Sequence, residues 1–218
     1  MSSFPPDVTH ELPGWVLWFA DLELEGGGPA DLDSLRESVA EQARASHDLG
    51  RLSEHPTAAA VRRLFRQAGC DPTRYRPSSE ALLRRVLKGE DLPAIHPLVD
   101  LNNCLSVALV VPACVMAAGS VAPPFVLRAG RSGEAMMSLR GQFDLAGKPL
   151  LADAAGPFGT PITDGERVRV TAATTRAWLV AYLPAGVVSP ECAATALGSL
   201  LAEAPLARVA ASGSSGGA

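Results

Sequence analysis

Aromatic residues are scarce in this sequence: three Trp, two Tyr and six Phe, 5% of 218 residues. Charged residues are also sparse at 19%, against 47% hydrophobic. Such a chain is neither a disordered tail nor a disulfide-stapled miniature, and it is long enough to bury one sizeable core. Its four cysteines, Cys70, Cys104, Cys114 and Cys192, lie far apart without a C-x-x-C pair, and its four histidines never fall at metal-ligand spacing. The spacing argues against a structural zinc site, and no metal or cofactor is expected. No apolar run approaches the ~18 residues of a membrane span. The first residues, Met1 to Asp7, lack a basic stretch followed by an apolar one. The expectation is a soluble cytoplasmic protein with reduced thiols and no membrane partner.

An excess of positive charge is missing as well, since 19 Lys and Arg against 23 Asp and Glu give a net charge of -4. That total does not fit a general nucleic-acid binder, and DNA is not an expected partner. The charge is unevenly placed, however. Residues 1–61 carry eleven acids and three bases, residues 62–88 carry eight bases and two acids, and the remainder carries ten acids and eight bases. The middle segment is therefore +6, and Arg62, Arg63, Arg66, Arg84, Arg85 and Lys88 are candidate RNA-phosphate contacts. The alternative is a pair of solvated helix faces that pair with the acidic N-terminal part.

The run from Gly14 to Leu24 is compactly hydrophobic and favours a strand inside a sheet. Leu32, Leu35, Val39 and Ala43 then fall at helical spacing, with Asp31 or Asp33 as cap. A second helix is predicted from Thr57 to Gln67, stopping at Gly69, and a third from Pro77 to Gly89. A fourth, short and mostly buried, starts at Pro97 and ends before Pro112. From Pro123 onward short β-type runs alternate with glycine-rich turns: 125–129, 134–139, 149–152, 168–170 and 177–183. An apolar helix from Pro190 to Ala204 follows, and residues 212–218 read as a flexible tail. That tail holds a formal G-x-S-x-G match at Gly213, Ser215 and Gly217, without the strand and helix that a nucleophile elbow needs. Helices first and strands later predict an α+β fold with helices covering one face of a mixed sheet.

Composition and generic motifs supply no nucleophilic triad and no phosphate loop. What stands out is polar residues where packing does not call for them: Asp100, Asn102 and Asn103 in the buried helix, and Glu134 after Gly133. Buried amides and carboxylates must be hydrogen-bonded, so these are either structural network members or ligand contacts.

Three stretches carry a resemblance: Arg76-Pro-Ser-Ser-Glu-Ala-Leu-Leu-Arg-Arg-Val-Leu-Lys-Gly89, Ile95-His-Pro-Leu-Val-Asp-Leu-Asn-Asn103 and Leu127-Arg-Ala-Gly-Arg-Ser-Gly-Glu134. They resemble the B3/B4 domain of the phenylalanyl-tRNA synthetase beta subunit, and especially the free-standing B3/B4 proteins. The likeness continues through Ala152-Asp153 and Val170-Thr-Ala-Ala-Thr174, which implies a B3/B4-like core at 75–185. Residues 1–74 would be integrated with that core, and 186–211 would form a C-terminal helix. In the synthetase this domain edits, hydrolysing tyrosine wrongly esterified to the phenylalanine tRNA. An aminoacyl ester is already activated, so its cleavage needs mainly a positioned water and donors for the developing oxyanion.

The resemblance implies a substrate-binding set of Asn102, Asn103, Cys114, Glu134, Leu139, Gly159, Thr160, Thr174 and Val180. It also shows departures. The editing histidine's place is held by Cys114, and the glutamate that senses the tyrosine hydroxyl falls at Val180. The aspartate beside the wall residue Leu139 has become Arg140, and the glycine-rich loop is replaced by Phe158-Gly-Thr-Pro-Ile-Thr-Asp-Gly165. The expected function is a B3/B4-type tRNA-binding protein, a trans-acting editing factor if the ester is cleaved. The partner would be tRNA, aminoacyl-tRNA or a small amino-acid-like ligand. The alternative is a non-catalytic RNA-binding, small-molecule or protein-interaction module with a vestigial pocket, since fold does not fix function.

Overall fold

The computed structural model describes residues 4–26 and 28–216. Along the chain these form β1 (Val8–His10), β2 (Trp15–Leu24), α1 (Pro29–Ser46), α2 (Pro56–Ala68), α3 (Ser78–Leu87), α4 (Pro97–Leu109) and β3 (Ala113–Ala117). There follow β4 (Phe125–Ala129), β5 (Ala135–Ser138), β6 (Gly141–Asp144), β7 (Pro149–Asp153), β8 (Gly156–Gly159), β9 (Arg176–Pro184), α5 (Pro190–Glu203) and β10 (Ala207–Ser215). The fold is α+β, as the order of helical and strand patterns predicted.

The strand β2 explains the layering. Its residues are almost all buried because both of its faces are covered, which is why it reads as a continuous apolar run rather than an alternation. It lies in an antiparallel sheet of order β10-β2-β9-β3. On one face Val16, Trp18, Ala20 and Leu22 meet α1, α3, α4 and α5 in a single aliphatic cluster. On the other face Trp15, Leu17 and Phe19, with Val180 and Tyr182 of β9, pack against Phe125, Leu127, Leu151 and Phe158. Those last four belong to a second sheet, β1-β4-β7-β8, in which only β1 and β4 run parallel. Phe125 joins the layers, its ring 6.3 Å from Phe19 and 5.0 Å from Phe158. Each such buried ring is worth roughly 1.5–3 kcal/mol. The sheet is thus covered by helices on one face and by the second sheet with α2 beside it on the other, one layer more than the sequence pattern suggested.

Two local expectations are corrected. Residues 166–168 form a 3₁₀ turn where a strand over 168–170 was expected, and the turn delivers Val168 into the core between the sheets. Ser212 to Ser215 are not a flexible tail. They continue β10, whose register on β2 runs from Ala207 opposite Leu24 to Ser215 opposite Leu17. Serine and glycine are poor strand formers, but the backbone groups of β2 would otherwise be left open at that edge. Gly213 is required there, since a Cβ would come within 2.7 Å of the Pro5 ring. Residues 217 and 218 lie outside the described residues, and Ser215 sits in the strand rather than at a strand-to-helix turn.

Candidate functional site

The strand β3 pairs with β9 on one side only, and a cleft of about 720 Å³ opens beside its other edge. Five elements surround it: the first turns of α3, the face of α4 bearing Val99, Asn102 and Asn103, the tip of the β5–β6 hairpin, the 160–164 loop, and residues 169–172. The hairpin turn Leu139-Arg140 is held by Ser138, whose hydroxyl donates to the Gly141 carbonyl at 2.8 Å and accepts from Arg140 N–H at 3.2 Å. The 160–164 loop is held by Thr160. Its hydroxyl donates to the Thr163 carbonyl and accepts from the Ile162 and Thr163 N–H groups, so Thr160 lines the cleft with its side chain already committed. Gly165 closes the loop, bridged to Ser138, where a Cβ would lie 2.9 Å from the Phe158 carbonyl oxygen.

The inner end of the cleft is rich in acceptors. Asn102, only 5% exposed, donates its amide to the Ala113 carbonyl at 3.2 Å, and its Oδ1 is buried with no partner. Asp164 likewise has a buried Oδ1 without a partner, and burial raises its pKa to about 7. Cys114 donates its thiol to the Thr160 carbonyl at 3.2 Å. Burial, and then the neighbouring Asp164 carboxyl, hold that thiol well above its usual range, so it is a neutral hydrogen-bond donor and not a nucleophile. His96 caps α4: its Nδ1 accepts from Leu98 N–H, which places the proton of the neutral ring on Nε2. Burial lowers the pKa of His96, and the imidazole lines the cleft as an uncharged group.

The outer end carries opposite charge. Arg76, Arg140 and Arg169 come from three separate segments to line the cleft. Among the described residues Arg140 and Arg169 have no carboxylate within ion-pair distance, and Arg76 is 3.6 Å from a Glu80 already held by Arg62 and Arg84. Ile95 and Leu139, both exposed, extend the apolar lining outward. Cations outside and unpartnered acceptors inside suit a ligand with an anionic end and a donor-bearing end.

Of the nine residues expected to bind substrate, Asn102, Asn103, Cys114, Leu139 and Thr160 line the cleft, and Glu134, Gly159, Thr174 and Val180 do not. Glu134 is the partner of Arg128 in a bidentate pair at 2.6 and 2.8 Å, and it also accepts from Arg131 N–H. The Arg128 hydrogen bond lowers its pKa to about 2, as expected of a structural ion pair. Val180 stands opposite Cys114 on β9, fully buried in the core between the sheets. Thr174 caps a turn by accepting from Thr171 N–H, and Gly159 bridges Asp164 with its backbone. Sequence reasoning missed Asp164, Arg76 and Arg169 as cleft residues. Arg140 was visible only as a charge reversal beside Leu139. Asp164 stood in the loop that departs from the family pattern, and that departure was the available signal.

The six candidate RNA contacts divide. Arg62 and Arg84 are taken up by buried Glu80 at 2.8 and 3.0 Å, a correction to their reading as phosphate contacts, because α2 and α3 pack with that carboxylate between them. Arg85 pairs with Glu90 and donates to the Asp91 carbonyl. Arg63, Arg66 and Lys88 are exposed, without carboxylate partners among the described residues.

The B3/4 domain family model matches residues 60–196, and the chain belongs to that family. Among solved structures, an N-terminal fragment of the phenylalanyl-tRNA synthetase beta-subunit from Pyrococcus horikoshii is similar at 15% identity and a TM-score of 0.45. The alignment covers 93% of this chain and 49% of that one, so the chain spans about half its length. No curated protein matches. No helix among the described residues is long and apolar enough to cross a membrane, and no group of three His, Cys, Asp or Glu residues there could hold a metal.

Proposed function

We propose that this chain is a B3/B4-type tRNA-binding protein that takes the aminoacyl end of a tRNA into the cleft and cleaves its ester. The observation that carries this reading is the polarity of the cleft: Arg76, Arg140 and Arg169 outside, apolar walls between, and the orphan acceptors of Asn102 and Asp164 inside. Phosphates at the tRNA end would meet the arginines, and the aminoacyl group would pass inward over Leu82, Val99 and Ile162. The chemistry demands little, because the ester is activated. Neutral His96 offers an Nε2–H as donor to a developing oxyanion, and water supplies the nucleophile. Tyrosine selection of the synthetase kind does not fit, since the position for a phenol-sensing carboxylate is the fully buried Val180.

The test is a panel of charged tRNAs incubated with the protein, with Asn103→Ala as control. The expected result is deacylation of a subset of them by the unaltered chain. If no charged tRNA loses its amino acid faster than with the control, hydrolysis is ruled out. If none binds, the tRNA reading goes with it.

A second reading rests on the exposed Arg63, Arg66 and Lys88, which lie on α2 and at the end of α3 without carboxylate partners. It makes the chain a non-catalytic RNA-binding module. It predicts salt-dependent binding whose log-log slope falls by roughly one for each of these residues neutralised.

A further inference from the structure

We infer that the free edge of β3 binds a single amino-acid residue as a strand partner of Val115, the ligand's amino group donating to the Val115 carbonyl and the ligand's carbonyl accepting from Val115 N–H. This rests on the cleft being the ligand site, and it names the backbone groups that hold the aminoacyl part.

The register of the sheet fixes which way each backbone group of β3 points. Just outside its two ends, the Pro112 carbonyl accepts from Tyr182 N–H and Ala118 N–H donates to the Arg176 carbonyl, both at 2.9 Å. Residues of an antiparallel strand face their partner strand in alternation, so 112, 114, 116 and 118 turn their N–H and C=O groups toward β9, and Ala113, Val115 and Ala117 turn theirs away. The neighbouring side chains agree. The Ala113 carbonyl accepts from the Asn102 amide at 3.2 Å, and the Ala117 carbonyl accepts from the Ser120 hydroxyl at 2.6 Å. Val115 stands between these two capped carbonyls. Neither its N–H nor its C=O has a partner among the described residues, although Val115 is only 5% exposed and lines the cleft. Asn102 Oδ1 takes no hydrogen bond from this edge. Buried backbone groups are almost always paired, so an open donor and an open acceptor on one residue beside a cleft point to a bound partner.

An antiparallel strand satisfies such a residue with one residue of its own, which gives an N–H to the carbonyl and offers a carbonyl to the N–H. The smallest ligand carrying both at that spacing is one α-amino acid with its carboxyl esterified or amidated. A longer strand would also need the carbonyls of Ala113 and Ala117, two residues to either side, and Asn102 and Ser120 already hold them. The open edge is thus one residue long, and extended peptides are excluded. Directly opposed residues put their side chains on the same face of a sheet. The Val115 side chain belongs to the aliphatic cluster on the helical face, and Leu82 and Val99 both pack on that cluster and line the cleft. The ligand's side chain therefore falls among aliphatic groups, which favours an apolar amino acid.

Small ligands and one amide resonance test this. The full chain labelled with ¹⁵N-valine would be followed in ¹H–¹⁵N spectra, with the Val115 signal assigned through Val115→Ile. L-leucinamide and L-methioninamide should bind at millimolar concentration and move the Val115 amide proton downfield, whereas Val180, whose N–H is bonded within the β3–β9 ladder, should move little. The amine 3-methylbutylamine has the side chain and amino group of L-leucinamide without the carbonyl, and it should bind about tenfold more weakly or worse and leave Val115 in place. Val115→Pro removes the outward N–H and no bond of the ladder, a change that edge strands accept, and should bring L-leucinamide down to the level of the amine. Equal binding of L-leucinamide and 3-methylbutylamine overturns the inference, as does amide binding with Val115 unmoved, or no millimolar binding by either amide. Those comparisons use the unaltered chain, so a folding defect in Val115→Pro does not rescue the idea. A charged tRNA that binds while neither amide moves Val115 overturns the edge pairing and leaves the tRNA reading standing. Amide binding at Val115 without binding of any charged tRNA does the reverse.

Discussion

Replacing Glu80 by glutamine tests how the basic segment is used. Glu80 is 2% exposed, accepts from Arg62 Nη1 at 2.8 Å and from Arg84 Nε at 3.0 Å, and has Arg76 Nε at 3.6 Å. The Arg76 and Arg84 side chains, 44% and 30% exposed, can turn toward water. Arg62, at 14%, cannot do so without moving α2. Removing one partner of a buried pair costs about 3–5 kcal/mol because the other charge is stranded. Glutamine keeps an acceptor and only Arg62 is stranded, so the lower end applies, about 3 kcal/mol. For a domain of this size that is a fall in Tm of about 6–12 °C. Denaturant unfolding followed by far-ultraviolet circular dichroism, beside calorimetry, reads both quantities. Arg62→Gln should lose stability to a similar extent and leave RNA affinity unchanged, whereas Arg63→Gln should do the opposite. A loss below about 1 kcal/mol for Glu80→Gln would refute the reasoning, since exposed ion pairs are worth no more than that. Weaker RNA binding by Arg62→Gln at unchanged stability would refute it as well.

Three further outcomes follow from the site. Arg140→Glu combined with Arg169→Glu should abolish binding of phosphate-bearing ligands with little change in Tm, because neither arginine has a carboxylate partner among the described residues; retained affinity in a filter-binding assay would contradict the assignment of the mouth. Burial raises the pKa of Asp164 to about 7. The groups that interact with it are Cys114 from β3 and Tyr182 from β9. The folded state holds this proton more tightly than the unfolded chain, so the ligand-free protein loses stability as pH rises from about 4 to 7, which thermal melts across that range would show. Glu134→Gln should lower Tm. Its pKa of about 2 lies below the unfolded value, so its contribution is present above about pH 4.5, is lost as pH falls toward 2, and should vanish in the variant.

What could be read directly from the residues was local or carried by ordered motifs. Apolar spacing and the glycine at Gly69 marked α2, and Pro97 opened α4, because helices are built from neighbours three and four residues apart. The motif stretches pointed to the family and to Asn102, Asn103, Cys114, Leu139 and Thr160, which do line one cleft. Partnership was not legible. Charge arithmetic singled out residues 62–88 as a basic surface, yet one acid within that segment, Glu80, takes up Arg62 and Arg84 once α2 packs on α3. Glu134 looked like a site residue until the fold set Arg128 against it. The serine- and glycine-rich end reads as a tail by propensity and becomes β10 because β2 leaves an edge to be paired. The cleft itself is the strongest case. Arg76, Arg140, Asp164 and Arg169 share no motif, and only the closing of β3's edge by the hairpin and the 160–164 loop puts cations at its mouth and unpaired acceptors at its floor. Sequence by itself determined the helices, most of the strands and the family. Tertiary structure decided which charges are spent on each other and which are left for a ligand, because that depends on contacts between residues far apart in the chain.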